Sequence, residues 1–115
     1  MLEKVNTYDF EEKVLQSQQP VFACFTAPKC DSCLANNLIA ELLAKEYKKN
    51  VKFVQIDAEK SAELMERYHI RALPAIMLFK HSVPVKTLLG FYYLRELRNI
   101  LNSLVVPGNA RMKRI

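Results

Sequence analysis

The positions of apolar residues along the chain predict five strands and four helices. Short runs that are wholly apolar, or that alternate with polar residues, indicate strands, whereas apolar residues three or four positions apart indicate helices. The predicted strands cover residues 2–5, 21–25, 51–57, 75–79 and 84–89. The predicted helices cover residues 9–17, 33–49, 61–69 and 94–104.

Two of these helices carry long rows of apolar side chains. The helix at residues 33–49 is defined by Leu34, Leu38, Leu42 and Tyr47, together with Ile39 and Leu43. The last helix is defined by Leu94, Leu97, Ile100, Leu101 and Leu104, a stripe typical of a helix that packs on a core.

The order of the elements predicts an α/β fold with a central mixed sheet and helices on both faces. Parallel neighbouring strands need crossover connections, which the first helices supply. The last two strands are separated only by residues 80–83, so we expect them to pair as a hairpin. An alternation of strands and helices of this kind indicates helices on both sides of a sheet.

Length and composition favour one domain. The chain has 115 residues, half of them hydrophobic, which is enough to bury a core without metal or disulfide staples. We place the domain at residues 1–106 and a basic C-terminal tail at residues 107–115. The net charge of +5 is spread over helix faces, so we expect neither nucleic acid nor a membrane as a partner.

Cysteine usage indicates a reducing compartment. Three cysteines, an odd number, do not form a disulfide framework, and the first residues are charged rather than an apolar signal segment. We therefore expect a cytoplasmic protein.

Two of the cysteines lie three residues apart in Cys30-Asp31-Ser32-Cys33, between a predicted strand and the longest helix. If Cys33 lies one helical turn beyond Cys30, the two sulfurs are close enough to form a disulfide. Unpaired N–H groups at the helix N-terminus favour a thiolate on Cys30. The spacing and its context therefore predict dithiol redox chemistry in which Cys30 is the attacking sulfur.

Three segments together resemble the thioredoxin family. They are the run from Phe25 to Cys33, the run from Tyr68 to Pro74 before an apolar strand, and Gly90 after the strand that follows. The resemblance covers the chain from about Thr7 to Leu104 and implies a thioredoxin fold. It implies Cys30 as the catalytic nucleophile, Cys33 as the resolving thiol, and a cis peptide bond before Pro74 that faces them.

The resemblance also implies how substrates are held. The backbone of Leu73 beside Pro74 would pair with an extended substrate segment, and Gly90 would permit close approach on the other side. Thr26 and Lys29 complete the expected docking surface. We expect a monomer that acts on protein disulfides without an organic cofactor, and a reductase or another dithiol as electron donor.

This chain departs from the family pattern at several positions around the dithiol. Thr26 and Lys29 stand where family members usually carry aromatic residues, and Asp31-Ser32 replaces a dipeptide that is often Gly-Pro. Cys24 stands where a buried Asp is typical, and Phe53 replaces the Lys associated with it. We therefore expect slow resolution of the mixed disulfide.

Two other functions remain open at this level. The same groove could serve a non-enzymatic adaptor that holds partners without turnover. Alternatively, two chains could each contribute Cys30 and Cys33 to a bridging zinc or iron-sulfur site. One chain alone offers no metal site, because four ligands are needed and only one such pair is present.

Overall fold

The computed structural model describes residues 2–105 as a five-stranded sheet with helices on both faces. The strands are β1 (Glu3–Val5), β2 (Val21–Thr26), β3 (Lys52–Asp57), β4 (Ala75–Lys80) and β5 (Val83–Leu89). The helices are α1 (Asp31–Tyr47), α2 (Ala62–Arg67) and α3 (Leu94–Val105), with a π-helical segment at Glu11–Leu15 and a 3-10 turn at Ala58–Lys60. The predicted tail at residues 107–115, and its boundary at residue 106, lie outside the described residues.

The sheet is mixed, as the element order predicted. Its strand order is β1-β3-β2-β4-β5. The strands β1 and β2 each pair parallel with β3, β4 pairs antiparallel with β2, and β5 pairs antiparallel with β4. At the end of β2, Thr26 is paired with Asp57, and Phe25 is paired with Ala75 at the start of β4. The ends of β2 and β3 and the start of β4 therefore meet at one edge of the sheet.

The two faces of the sheet carry separate apolar clusters. One cluster includes Phe10, Val14 and Leu64 and lies under the π-helical segment and α2. The other cluster lies under α1 and α3 and includes Leu43 and Leu101. All five side chains are almost fully buried, so the helices cover both faces as predicted.

The first helix is shorter than predicted and is π-helical. The side chain of Asn6 accepts hydrogen bonds from the N–H groups of Tyr8 and Asp9, and Asp9 accepts one from the Asn6 N–H in return. These reciprocal bonds close the turn at residues 7–9 that precedes the segment, whose own N-cap residue, Phe10, makes no side-chain cap hydrogen bond. Its end is set by Gln16, whose N–H donates to the Glu11 carbonyl five residues earlier.

The hairpin turn is tighter than predicted. Because β4 extends to Lys80 and β5 begins at Val83, the turn contains only His81 and Ser82. Both have positive φ, 53° and 71°, as a two-residue turn matching the twist of the strands requires.

The buried face of α1 differs from the one that its apolar row suggests. The residues that α1 buries are Cys33, Asn36, Ala40 and Leu43. Leu34, Leu38 and Leu42 are instead 63%, 58% and 51% exposed. The apolar spacing therefore predicted the helix correctly, but its leucine row lies on the solvent side.

Candidate active site

Cys30 and Cys33 form a disulfide at the N-terminus of α1. Their Cα atoms are 5.2 Å apart. Cys30 is the N-cap residue, with extended backbone angles (φ −118°, ψ 103°), and Cys33 lies in the first turn. The chain thus leaves β2, crosses the sheet edge and enters the helix with the two sulfurs joined.

The two sulfurs have different surroundings. Cys30 is partly exposed, whereas Cys33 is 1% exposed. The Cys33 N–H donates a hydrogen bond of 3.2 Å to Cys30 Sγ, so the helix terminus directs a backbone donor at that sulfur. Negative charge on Cys30 Sγ is stabilised by this donor and by the helix dipole.

The peptide bond between Leu73 and Pro74 is cis, as the resemblance implied. Pro74 immediately precedes Ala75, which is paired with Phe25 near the end of β2. The sheet register therefore brings the cis bond to the edge where the loop to Cys30 begins.

Gly90 is hydrogen-bonded to Pro74, the residue that follows the cis bond. Its N–H donates a 2.8 Å hydrogen bond to the Pro74 carbonyl. Its φ is 89°, in the region that favours glycine, and an added Cβ would meet no atom within 4 Å. Glycine is thus required here by backbone conformation rather than by packing within the chain.

Thr26 and Lys29 occupy different environments. Lys29 is exposed beside the dithiol, but Thr26 is 6% exposed, and its Oγ1 accepts a hydrogen bond of 3.3 Å from Asn37 Nδ2. Thr26 therefore contributes to the wall of a groove rather than to the outer surface.

That groove, about 430 Å³ in volume, adjoins Cys30 and was not anticipated from the sequence. Its polar lining includes Asn37, Asp57 and Lys60. The parallel pairing of β1, β3 and β2 is the signal that could have located it, because their carboxyl ends open at one edge.

Asn36 is a second residue that sequence reasoning missed. It lies one turn after Cys33 on the buried face of α1 and is only 2% exposed. Its Oδ1 accepts a 3.5 Å hydrogen bond from the Tyr92 N–H, which ties α1 to the segment between Gly90 and α3.

The sheet face beneath α1 is apolar where the family pattern has a carboxylate. Cys24 and Phe53 are 2% and 7% exposed and belong to one cluster with Phe22, whose ring centroid is 4.8 Å from that of Phe53. Burial raises the pKa of the Cys24 thiol to about 12. Cys24 therefore stays protonated at neutral pH and offers no base to its neighbours.

Residues 2–105, which the structure describes, contain neither a metal-binding cluster nor a membrane-spanning helix. No group of three or more His, Cys, Asp or Glu side chains is placed to hold a metal ion there. No helix in the same residues has the length and apolar character needed to cross a membrane.

Comparisons with known proteins agree with the geometry. The family model described as Thioredoxin matches residues 1–103. A thioredoxin of Rickettsia bellii is 31% identical over 103 residues, which cover 90% of this chain and 98% of that protein. Thioredoxin 1 of Synechococcus elongatus is 31% identical over 94 residues, covering 82% of this chain and 88% of that protein.

Proposed function

The chain belongs to the thioredoxin family and is a thiol-disulfide oxidoreductase, and we propose that Cys30 is its attacking sulfur and Cys33 its resolving sulfur. The observation that carries this assignment is the contrast between the two: Cys30 is partly exposed at a helix N-terminus, and Cys33 is buried behind it. Only an accessible thiolate can reach a disulfide on another protein.

The exchange proceeds in two steps. In the first, the Cys30 thiolate attacks one sulfur of a substrate disulfide, a mixed disulfide forms, and the other substrate sulfur leaves as a thiolate that takes up a proton. In the second, Cys33 loses its proton and attacks Cys30 Sγ, and the remaining substrate sulfur leaves. The substrate gains two electrons, and Cys30 and Cys33 end as the disulfide seen in the structure.

Deprotonation of Cys33 is the demanding part of the second step. The neighbouring sheet face holds Cys24, with its raised pKa, and the ring of Phe53, neither of which accepts a proton. The proton therefore leaves through Ser32, solvent or the bound substrate, and we propose that resolution is slow compared with a site that has a buried carboxylate.

The docking surface lies beside the dithiol. We propose that an extended substrate segment pairs with the backbone of Leu73, next to the cis bond of Pro74, and passes close to Gly90. Support comes from the shared sheet edge and from the Gly90 to Pro74 hydrogen bond. Lys29 is exposed next to Cys30 in the chain, and Thr26 lines the groove that adjoins Cys30.

Thioredoxins act on protein disulfides and receive electrons from a reductase. We propose the same classes of partner for this chain, with a reductase or another dithiol as its donor. Both reacting sulfurs are on one chain, so a single copy suffices for the exchange. The chain has three cysteines, and only two of them pair. We propose a cytoplasmic location on this ground, and cell fractionation would test it.

Reduction of insulin by dithiothreitol tests the assignment. The protein should accelerate precipitation of the reduced insulin chains, and Cys30→Ser should abolish the acceleration. Cys24→Ser, which alters a cysteine outside the pair, is the matched control and should retain it. Acceleration that survives Cys30→Ser would overturn the proposal.

The adaptor remains the second candidate because of Cys24 and Phe53. Such an adaptor holds its partners non-covalently in the groove beside Cys30, and a site without a buried base beneath the pair is compatible with low turnover. The same assay separates the two functions. An adaptor would not accelerate insulin reduction even as the wild-type protein, and its partner binding would persist in Cys30→Ser. Equilibration with glutathione then measures the reduction potential, which sets the direction of electron flow.

A further inference from the structure

Three leucines on the outer face of α1 form a continuous apolar row. Leu34, Leu38 and Leu42 follow one another at intervals of four residues and are 63%, 58% and 51% exposed. Residues spaced by four are neighbours on a helix surface, so the three side chains form one ridge. Single exposed leucines are ordinary, but a contiguous apolar patch indicates an interaction surface.

Residues of opposite charge lie at the two ends of this ridge. Asp31 lies three residues before Leu34, and Lys45 lies three residues after Leu42, so both adjoin the ridge on the helix surface. Both are exposed. Within residues 2–105 the ion pairs involve other side chains, and neither Asp31 nor Lys45 takes part in one.

We propose that two copies of the chain pair through α1, with the two helices antiparallel and Leu38 at the two-fold axis. In this arrangement Leu34 packs against the partner's Leu42, and Leu38 packs against the partner's Leu38. Rows of side chains spaced by four interdigitate when helices cross at about −50°, the commonest packing class. A two-fold dimer makes every such contact twice.

The charges favour a second copy over other occupants. Antiparallel pairing about Leu38 places Asp31 beside the partner's Lys45, and places Lys45 beside the partner's Asp31. Parallel pairing would place like charges together at both ends, which opposes association. The charges at the two ends of the ridge are thus complementary to those of a second copy in the antiparallel orientation only.

The patch is small, so the dimer is weak. Three half-exposed leucines per chain bury less area than a standard stable interface, which indicates dissociation in the micromolar range or above. The proposal is a monomer–dimer equilibrium, whereas the sequence led us to expect a monomer. Cys30 is eight residues from Leu38, so the two Cys30 residues would be separated by about 24 Å along the helices.

Sedimentation equilibrium over a range of protein concentrations tests this pairing. The wild type should shift from monomer to dimer as concentration rises, and Leu38→Glu, which places two carboxylates at the axis, should remain monomeric. Val85→Glu is the matched control, because Val85 is an apolar residue of β5 that is 50% exposed. It should dimerise as the wild type does. Circular dichroism should show all three proteins folded.

A charge exchange tests the orientation. Asp31→Lys alone and Lys45→Asp alone should each weaken the dimer, and the double variant should restore it, because each contact then regains opposite charges. The dimer should persist in a chelator and in dithiothreitol, which distinguishes it from a metal-bridged or disulfide-linked pair. These measurements do not depend on redox activity, so they stand or fall separately from the proposed function.

A wild type that remains monomeric at the highest concentration reached would overturn the proposal. Equal loss of the dimer in Leu38→Glu and Val85→Glu would also overturn it, because association would then not be specific to α1. Failure of the double charge variant to associate better than either single variant would contradict the antiparallel arrangement.

Discussion

The surroundings of Cys30 and Cys33 differ more than their joint motif suggests. Cys30 is partly exposed and receives a backbone hydrogen bond at the start of α1, whereas Cys33 is 1% exposed above a sheet face that contains Cys24 and Phe53. One environment stabilises a thiolate, and the other supplies no group that can remove a proton. We therefore expect attack and resolution to be controlled separately in this chain.

Removal of either sulfur should have the largest effect. With Cys33→Ser, Cys30 can still attack, so a mixed disulfide with the substrate should accumulate and turnover should fall by about three orders of magnitude or more. With Cys30→Ser, turnover should fall as far but no mixed disulfide should form. Non-reducing electrophoresis of each variant with a disulfide-bonded protein makes the distinction. If both variants accumulated the mixed disulfide equally, the two sulfurs would not have the different roles assigned to them.

A carboxylate placed beneath α1 should speed resolution. Cys24→Asp introduces a buried acid whose own pKa is raised by burial, and a positioned base of that kind contributes about 10²-fold or more. Stopped-flow measurement should show faster release of the mixed disulfide, with a loss of about 2–4 kcal/mol in unfolding free energy from burying the acid. Cys24→Ala is the control and should leave the release rate unchanged. Rapid release in the wild type would contradict the account.

Burial of Cys24 should make stability depend on alkaline pH. Its pKa is raised from 9.0 to about 12, so above about pH 9 the unfolded chain loses this proton while the folded chain keeps it. This contribution to stability is complete below pH 9 and is lost as pH rises toward 12. In the oxidised protein, the unfolding free energy should fall by about 1 kcal/mol between pH 9 and 10 relative to Cys24→Ala. Parallel pH curves for the two proteins would show that the thiol is not desolvated.

Backbone conformation at two positions of positive φ, Gly90 and His81, should have a modest effect on stability. Gly90→Ala places a Cβ at φ 89°, which costs about 1–2 kcal/mol of unfolding free energy, although no atom obstructs it. His81→Gly, at φ 53° in the exposed hairpin turn, should instead stabilise the chain by about 1 kcal/mol. Urea unfolding measures both. A neutral result for Gly90→Ala would mean that the turn adopts another conformation.

The fold was largely predictable because local sequence signals agree with the final structure. The apolar runs located all five strands, and the break at Leu73-Pro74 marked the start of β4. The π-helical segment was not predictable, because its hydrogen bond from Gln16 to Glu11 leaves no signature in residue spacing. The tight turn at His81 and Ser82 lacks the glycine that usually signals positive φ.

The site was predictable only in part. The dithiol and the cis bond were anticipated, but the groove lined by Asn37, Asp57 and Lys60 depends on strand order, which no local pattern specifies. Which side of α1 is buried could not be predicted, for a related reason. Its leucine row is an apolar surface of the helix, yet the sheet packs on Ala40 and Leu43 instead.

The rates at which iodoacetamide alkylates each cysteine of the reduced protein test the central contrast most directly. Peptide mass spectrometry over time should show Cys30 modified first, Cys33 much more slowly, and Cys24 only after unfolding. Equal rates at Cys30 and Cys33, or faster modification of Cys33, would contradict the assignment of Cys30 as the attacking sulfur.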